Sequence, residues 1–317
     1  MRISLSLVAL LLTVGAIPAQ VPTPWGASPP APNPTAKGGA RPPEQSVRFG
    51  HVRLRTGIRI RYAESGNPSG EPLILLHGYS DSWYSFTPIL PLLGERFRLI
   101  ALDQRGHGQS DQPADGYAMR SLGEDVVAFM DALQIGRATI IGHSMGSFVA
   151  RQVGLLAPGR VSRLVLVGSA PSLDGMNGRE EFIATVNALP DPVPLEFIRG
   201  FQESTIHHAV PPAFVDSVVA ESTRLKARVW KALLRGMLDL EPAAGPGGAE
   251  VPTLLIWGEQ DAVFPPAERD ALAALLPGAE RLDYEDTGHA THWERPVRLA
   301  RDVEDFIRRT PATGDAR

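Results

Sequence analysis

Short, fully apolar runs recur along the chain and are separated by segments with a helical period. Five of these runs read PLILL, RLIAL, ATIIG, RLVLVG and PTLLIWG, at 72–76, 98–102, 138–142, 163–168 and 252–258. Strands that are apolar on both faces are typical of a parallel sheet covered by helices on each side. The pattern therefore predicts repeated strand–helix units and an α/β fold.

Two other segments have a clear period. Residues 46–66 alternate polar and apolar positions on both sides of Thr56-Gly57, which predicts an antiparallel hairpin with one buried face. Residues 119–136 predict an amphipathic helix that ends at Gly136. Its apolar stripe consists of Leu122, Val126, Phe129, Met130 and Leu133.

The strand–helix alternation stops after the fourth apolar run. Between Pro171 and Pro246 the chain has no strand-like run, and short helix-period pieces are separated by prolines. We interpret residues 171–246 as an inserted helical cap. Residues 46–170 and 247–310 then form the α/β core, with a mostly parallel sheet and helices on both faces.

The N-terminal residues have the pattern of an export signal. Arg2 precedes an apolar stretch from Leu5 to Val14, which is shorter than the roughly 20 residues that span a bilayer as a helix. Eight prolines follow between Val21 and Pro43. We expect residues 1–19 to be a signal peptide and residues 20–45 a proline-rich disordered linker. The mature protein is then secreted or periplasmic and has no membrane span.

Composition excludes several kinds of chemistry. The 317 residues include no cysteine, which rules out disulfides, a thiol nucleophile and thiolate metal sites. The formal net charge is −4 and no basic block is present, so a nucleic-acid partner is not expected. No ligand spacing suggests a metal or another cofactor, and His207 and His208 are interpreted as surface residues. A small neutral molecule is the expected partner.

The chemistry centres on Ser144. Gly142 to Gly146 read G-x-S-x-G, directly after an apolar strand and directly before a helical segment. A serine hydroxyl needs a base to become a nucleophile, and it must face the substrate. A tight strand-to-helix turn exposes it, and flanking glycines are needed where a Cβ would collide. His143 is expected to pack beneath this turn.

Two later loops supply the partners that a serine nucleophile needs. Asp261 follows the last apolar run, and His289 follows the next predicted strand. Both would lie at the carboxyl edge of the sheet together with Ser144. His289 is the expected base, and Asp261 is expected to orient it and stabilise its charge. Glu259, Asp283 and Asp286 are competing carboxylates, and His292 is a candidate neighbour of the pocket.

An acyl-transfer site also needs donors for the oxyanion. The backbone N–H of Met145 follows the nucleophile, and that of Tyr79 follows His77-Gly78, where glycine lets the backbone come close. These two N–H groups are the predicted donors. Aromatic residues flank the motifs, and we expect four of them to bind substrate: Trp83, Phe148, Phe264 and Trp293.

Taken together, these motifs resemble the α/β-hydrolase superfamily, in particular its esterase and epoxide-hydrolase-like branch with a serine nucleophile. The resemblance spans residues 47–309 and is carried by LLHGYSDSWYSF, ALDQRGHGQSD, IIGHSMGS, LLIWGEQDAVFP and DTGHATHWERP. It implies an eight-stranded sheet, a helical cap after the sixth strand, and a pocket between cap and sheet. Relatives that open epoxides or remove halide use an aspartate as the nucleophile. This chain has Ser144 at that position, which argues against both activities.

The resemblance does not determine which bond is cleaved. A serine suits cleavage of carboxylic esters of small to medium, mostly neutral and apolar substrates through an acyl-enzyme. The same residues suit a lactonase or a hydrolase of carbon–carbon bonds in vinylogous diketones. A non-catalytic binding protein on this fold is the third alternative, although all the candidate catalytic residues are present.

Overall fold

The structure, a computed structural model, describes residues 47–240 and 251–311. The expected signal peptide and proline-rich linker lie outside these residues, as does the end of the expected cap. Those assignments, and the boundaries between core and cap, stay predictions.

A single eight-stranded sheet organises the described residues. Its spatial order is β1-β2-β4-β3-β5-β6-β7-β8, and the pairs β1–β2 and β2–β4 are antiparallel whereas all other pairs are parallel. The strands are β1 (Arg48–Arg53), β2 (Arg59–Gly66), β3 (Glu71–Leu76), β4 (Phe97–Leu102), β5 (Ala138–His143), β6 (Val161–Val167), β7 (Thr253–Gly258) and β8 (Glu280–Tyr284). The predicted hairpin and the five apolar runs all form strands of this sheet, which confirms the α/β fold class.

Helices cover both faces, and the strands are apolar on both sides for this reason. The helices are α1 (Leu90–Leu93), α2 (Met119–Ala132), α3 (Met145–Leu156), α4 (Arg179–Ala188), α5 (Leu195–Glu203), α6 (Pro212–Ser222), α7 (Ala227–Leu238), α8 (Pro266–Leu275), α9 (Thr291–Glu294) and α10 (Pro296–Arg309). In β3, Leu73 and Leu75 pack with α1 and α10, whereas Ile74 and Leu76 pack with α2 and α3.

Proline sets the start of three of these helices. Pro212, Pro266 and Pro296 each occupy the first turn of a helix, where the missing N–H has no intrahelical acceptor to lose.

The end of α2 differs from the prediction. The residue in the left-handed conformation beyond this helix is Gln134, with φ of 55°, and Gly136 does not have a positive φ.

The segment between β6 and β7 contains helices α4 to α7, which we call the cap helices. This is the position that was predicted for a helical cap insertion. They are anchored to the core by aromatic contacts. The ring of Tyr79 lies 4.9 Å from that of Trp230 on α7, and its hydroxyl donates a 2.6 Å hydrogen bond to the Trp230 carbonyl. None of the helices in the described ranges has the length and hydropathy needed to cross a membrane.

Candidate active site

Ser144 lies in a strained turn between β5 and α3. Its backbone has φ of 50° and ψ of −120°, a conformation that non-glycine residues rarely adopt and that functional sites often retain. A Cβ on Gly142 would lie 2.3 Å from the Gly146 carbonyl oxygen, and one on Gly146 would lie 2.0 Å from the Leu76 oxygen. The two glycines are therefore required by backbone crowding around the serine.

Asp261 and His289 are in direct contact. Asp261 Oδ2 lies 2.7 Å from His289 Nδ1, and both side chains are almost fully buried. The other carboxylate oxygen of Asp261 accepts hydrogen bonds from the N–H groups of Val263 and Phe264, at 2.8 and 3.0 Å. The carboxylate is thus fixed in position by its own loop and holds the imidazole by one nitrogen.

Ser144 and His289 line the same cavity, which has a volume of about 440 Å³ and lies between the sheet edge and the cap. Phe148, Phe264 and Trp293 also line it, and their contact with substrate stays a prediction. The cap contributes further apolar side chains, namely Phe182, Phe197, Phe201, Ile206 and Met237. Among the described residues that line the cavity, none is arginine or lysine.

The two predicted oxyanion donors are free to bind a ligand. Among the described residues, no acceptor is found for the backbone N–H of Tyr79 or that of Met145. Tyr79 lines the cavity, and Met145 directly follows the cavity residue Ser144 and is the first residue of α3. A helix N-terminus carries partial positive charge, which favours an anion at this point.

Trp83 is not among the described residues that line the cavity, and its role in substrate binding stays a prediction. Its backbone N–H donates to Asp103 Oδ1 at 3.0 Å, and its ring packs edge-on against Phe49 at 4.9 Å between centroids. The guanidinium of Arg61 lies 5.5 Å from the same ring. Asp103, which directly follows β4, thus fixes the backbone at Trp83, and the indole ring lies against Phe49 of β1.

Asp81 lines the cavity, although no sequence motif points to it. Burial raises the pKa of its carboxyl from 3.8 to about 7, although hydrogen bonds from Gln202 and Ser85 oppose the shift. Gln202 is on α5, so this contact joins the core to the cap. Ser80, Asp81 and Ser82 look polar and loop-like in the sequence, but all three are buried in the folded protein.

Two more histidines lie beneath the site. His143 is buried against the rings of His289 and His292, with centroids 5.0 and 4.3 Å away, and it also borders the cavity. Burial, together with the charges of His292 and His289, lowers its pKa well below the usual range. Burial lowers the pKa of His292 to about 3. Both rings are therefore neutral at physiological pH.

The three carboxylates that compete with Asp261 in the sequence do not line the cavity. Asp283 is in β8 and pairs with Arg281, and Glu259 is exposed. Asp286 is exposed and faces His207 and His208, with Oδ1 3.2 Å from His207 Nε2 and Oδ2 2.8 Å from His208 Nε2. Sequence spacing does not suggest this cluster of three possible metal ligands, because its acidic member is far along the chain.

The family model described as alpha/beta hydrolase fold matches residues 71–205 and 216–296. The fold and the site therefore define a hydrolase of this class, and the chain belongs to the alpha/beta hydrolase family. The match includes Ser144, Asp261 and His289, together with most of the cap.

Individual relatives have several hydrolytic activities. The chain is 30% identical over 285 residues to the 2-hydroxymuconate semialdehyde hydrolase of Pseudomonas sp. (strain CF600), covering 84% of this chain and 96% of that protein. An esterase structure from Rhodococcus sp. ECU1013 is 27% identical, with a TM-score of 0.68 and coverage of 83% and 98%. The enol-lactonase from Burkholderia xenovorans LB400, at 21% identity and a TM-score of 0.73, covers 82% and 100% and shows the fold alone.

Proposed function

We propose that this protein is a serine hydrolase that cleaves carboxylic esters of small to medium, mostly neutral and apolar substrates. The observation that supports this proposal is the 2.7 Å contact between His289 and Asp261 at the cavity that also contains Ser144. A serine in a strained turn, an imidazole and a buried carboxylate are the parts of an acyl-transfer mechanism.

In the proposed first half-reaction, Ser144 Oγ attacks the ester carbonyl while His289 Nε2 takes its proton. Asp261 keeps the proton of the imidazole on Nδ1 and stabilises the imidazolium that forms. His289 then gives its proton to the leaving alcohol, and the acyl group stays on Ser144. In the second half-reaction, His289 activates water, which releases the acid and restores the serine hydroxyl.

The tetrahedral intermediate carries a negative oxygen that needs preorganised donors. We assign this role to the N–H groups of Tyr79 and Met145, which lack another acceptor among the described residues. Each such donor is typically worth about 3–4 kcal/mol of the barrier. Because both groups belong to the backbone, replacing the Tyr79 or Met145 side chain leaves the donors in place.

The cavity lining supports a neutral acyl or alcohol group. Phe148, Phe264 and Trp293 provide its core side, and cap phenylalanines provide the opposite side. The absence of lysine and arginine from the described lining leaves no cation to pair with a substrate carboxylate. This disfavours the substrate named for the semialdehyde relative, since muconate derivatives carry a carboxylate, and it favours an uncharged ester.

A lactonase is the second candidate, because a lactone is a cyclic ester and the same residues open it. The alternatives separate by substrate: p-nitrophenyl esters, neutral lactones and vinylogous diketones should be compared with one preparation. Higher kcat/KM on lactones than on open esters would replace the ester proposal, and turnover of diketones alone would favour carbon–carbon cleavage.

The decisive experiment compares wild type with Ser144→Ala on short and medium p-nitrophenyl esters. We expect saturable turnover in wild type and a loss of about 10³-fold or more in the variant. Ser217→Ala, which removes a hydroxyl from α6 that bonds only the Ala213 carbonyl, is the matched control and should retain full activity. Absence of turnover in wild type would leave a binding protein, and full turnover in Ser144→Ala would eliminate the serine mechanism.

We further propose that the protein acts outside the cytoplasm, on the basis of the apolar N-terminal segment and the proline-rich stretch after it. Fractionation of expressing cells followed by N-terminal sequencing tests this. Mature chains that begin between Pro18 and Ser46 support export, and chains that begin at Met1 in the cytoplasm contradict it.

A further inference from the structure

Three potential metal ligands meet where the cap adjoins the loop that carries His289. His207 and His208 follow α5, and Asp286 lies three residues before His289. The donor atoms of all three side chains lie within 4.8 Å of one another. We propose that His207, His208 and Asp286 bind a first-row divalent transition metal such as Zn²⁺ and so tie the cap to this loop.

The chemistry of the donors favours this class of cation. Two imidazoles and one carboxylate form a ligand set that Zn²⁺ and its neighbours bind well, whereas Ca²⁺ and Mg²⁺ prefer oxygen ligands alone. Three protein ligands leave a fourth position for water or another group. The chain has eight histidines and no cysteine, and five of the histidines are buried in the core. His51 is exposed by itself on β1, so these two adjacent histidines are the ones that solvent metal can reach together.

The backbone on both sides of the cluster is already fixed. The buried carboxylate of Glu294 accepts hydrogen bonds from the N–H groups of His207, His208 and Gly288, at 3.2, 2.8 and 3.0 Å. The N–H of Ala290 donates to the Thr205 carbonyl at 3.0 Å. A metal ion would therefore meet loops that need little ordering, which lowers the cost of binding.

The side chains themselves are available. The side chain of Asp286 is 67% exposed, and those of His207 and His208 are 41% and 25% exposed. The Nε2 atom of His208 is shielded from solvent and makes no aligned hydrogen bond, although Asp286 Oδ2 is close. Arg295 donates to the Asp286 main-chain carbonyl and not to its carboxylate.

An ordinary ion pair between the histidines and Asp286 is the competing account, and pH separates the two. Protonation of the imidazoles strengthens an ion pair, whereas it displaces a metal ion. The proposed metal site also lies beside the cavity, because Thr205 and Ile206, which directly precede His207, line the cavity. This inference concerns binding and stability and stands independently of the ester chemistry proposed above.

The test uses the full chain with any affinity tag removed and residual metal stripped by EDTA and dialysis. Isothermal titration with ZnCl₂ at pH 7.5 should show one site per chain. We expect His208→Gln and Asp286→Asn each to weaken binding by about tenfold or more. His51→Gln is the matched control and should bind as wild type does. MgCl₂ and CaCl₂ should give no saturable binding.

A second readout distinguishes the loss of metal binding from a folding defect. The Tm of each metal-free variant reports whether it is folded, and Zn²⁺ should then raise the Tm of wild type and His51→Gln more than that of His208→Gln at the same concentration. The Zn²⁺ effect should disappear between pH 7.5 and pH 5. Absence of a saturable site in wild type, equal binding by folded His208→Gln, or binding of Ca²⁺ as tight as that of Zn²⁺ would each overturn the proposal.

Discussion

The carboxamide of Gln202 donates a 3.0 Å hydrogen bond to Asp81 Oδ1, and both side chains are buried where the cap meets the core. Burial raises the pKa of Asp81 to about 7, so the folded protein retains this proton over a pH range in which the unfolded chain has already lost it. Stability contributed by this proton is present below pH 4 and is lost as the pH rises toward 7.

Asp81→Asn should therefore gain stability relative to wild type as the pH increases. The amide cannot ionise, so its advantage should be larger at pH 8 than at pH 5 by on the order of 2 kcal/mol. Urea unfolding at both pH values measures this difference. Asp115→Asn, at an exposed site, is the control and should show the same difference from wild type at both pH values. A constant difference for Asp81→Asn would show that Asp81 has an ordinary pKa.

Asp261→Asn tests which carboxylate serves His289. The amide removes the charge that stabilises the imidazolium and favours the wrong tautomer, so kcat should fall by about 10³-fold to 10⁴-fold while the fold is retained. Glu259→Gln, two residues earlier and exposed, should leave kcat within a factor of two. The measurement is steady-state hydrolysis of a p-nitrophenyl ester. A larger loss in Asp286→Asn than in Asp261→Asn would reverse the assignment.

Gly146→Ala tests the crowding around Ser144. The new Cβ would meet the backbone oxygens of Leu76 and His77, which cannot rotate away. We expect the free energy of unfolding to fall by about 2 kcal/mol or more, with loss of activity as the turn shifts. Gly200→Ala, in α5 with no atom near the added Cβ, should be neutral or gain up to about 1 kcal/mol. Equal stability of the two variants would contradict the tight packing of the turn.

Phe201→Ala tests the cap as a determinant of acyl length. Phe201 lines the cavity and stacks on Phe182 at 5.7 Å between ring centroids, so its removal lengthens the space opposite Ser144. The ratio of kcat/KM for octanoate to that for acetate should rise by about tenfold or more. Phe49→Ala, far from the cavity, should leave the ratio unchanged. An unchanged ratio in Phe201→Ala would place the acyl group in another part of the cavity.

Local patterns in the sequence predict the scaffold of this site well. The apolar runs become β3 to β7, and the residues after β5, β7 and β8 include Ser144, Asp261 and His289 because parallel strands end at one edge. What the sequence does not predict depends on contacts over long distances. The Trp83 N–H donates to Asp103, and Gln202 on the cap donates to the buried Asp81; neither contact leaves a local periodic signal.

The proposed catalytic residues and the cap side of the cavity come from different parts of the chain. Ser144, Asp261 and His289 stand on loops of the sheet, whereas Phe182, Phe197 and Phe201 belong to helices inserted between β6 and β7. If the proposed residues catalyse the reaction, substrate selectivity and turnover are separable traits. Substitutions within the inserted helices can change the accepted substrate without altering the serine, the base or the acid, and a substitute insertion with similar ends could transfer a substrate preference between relatives.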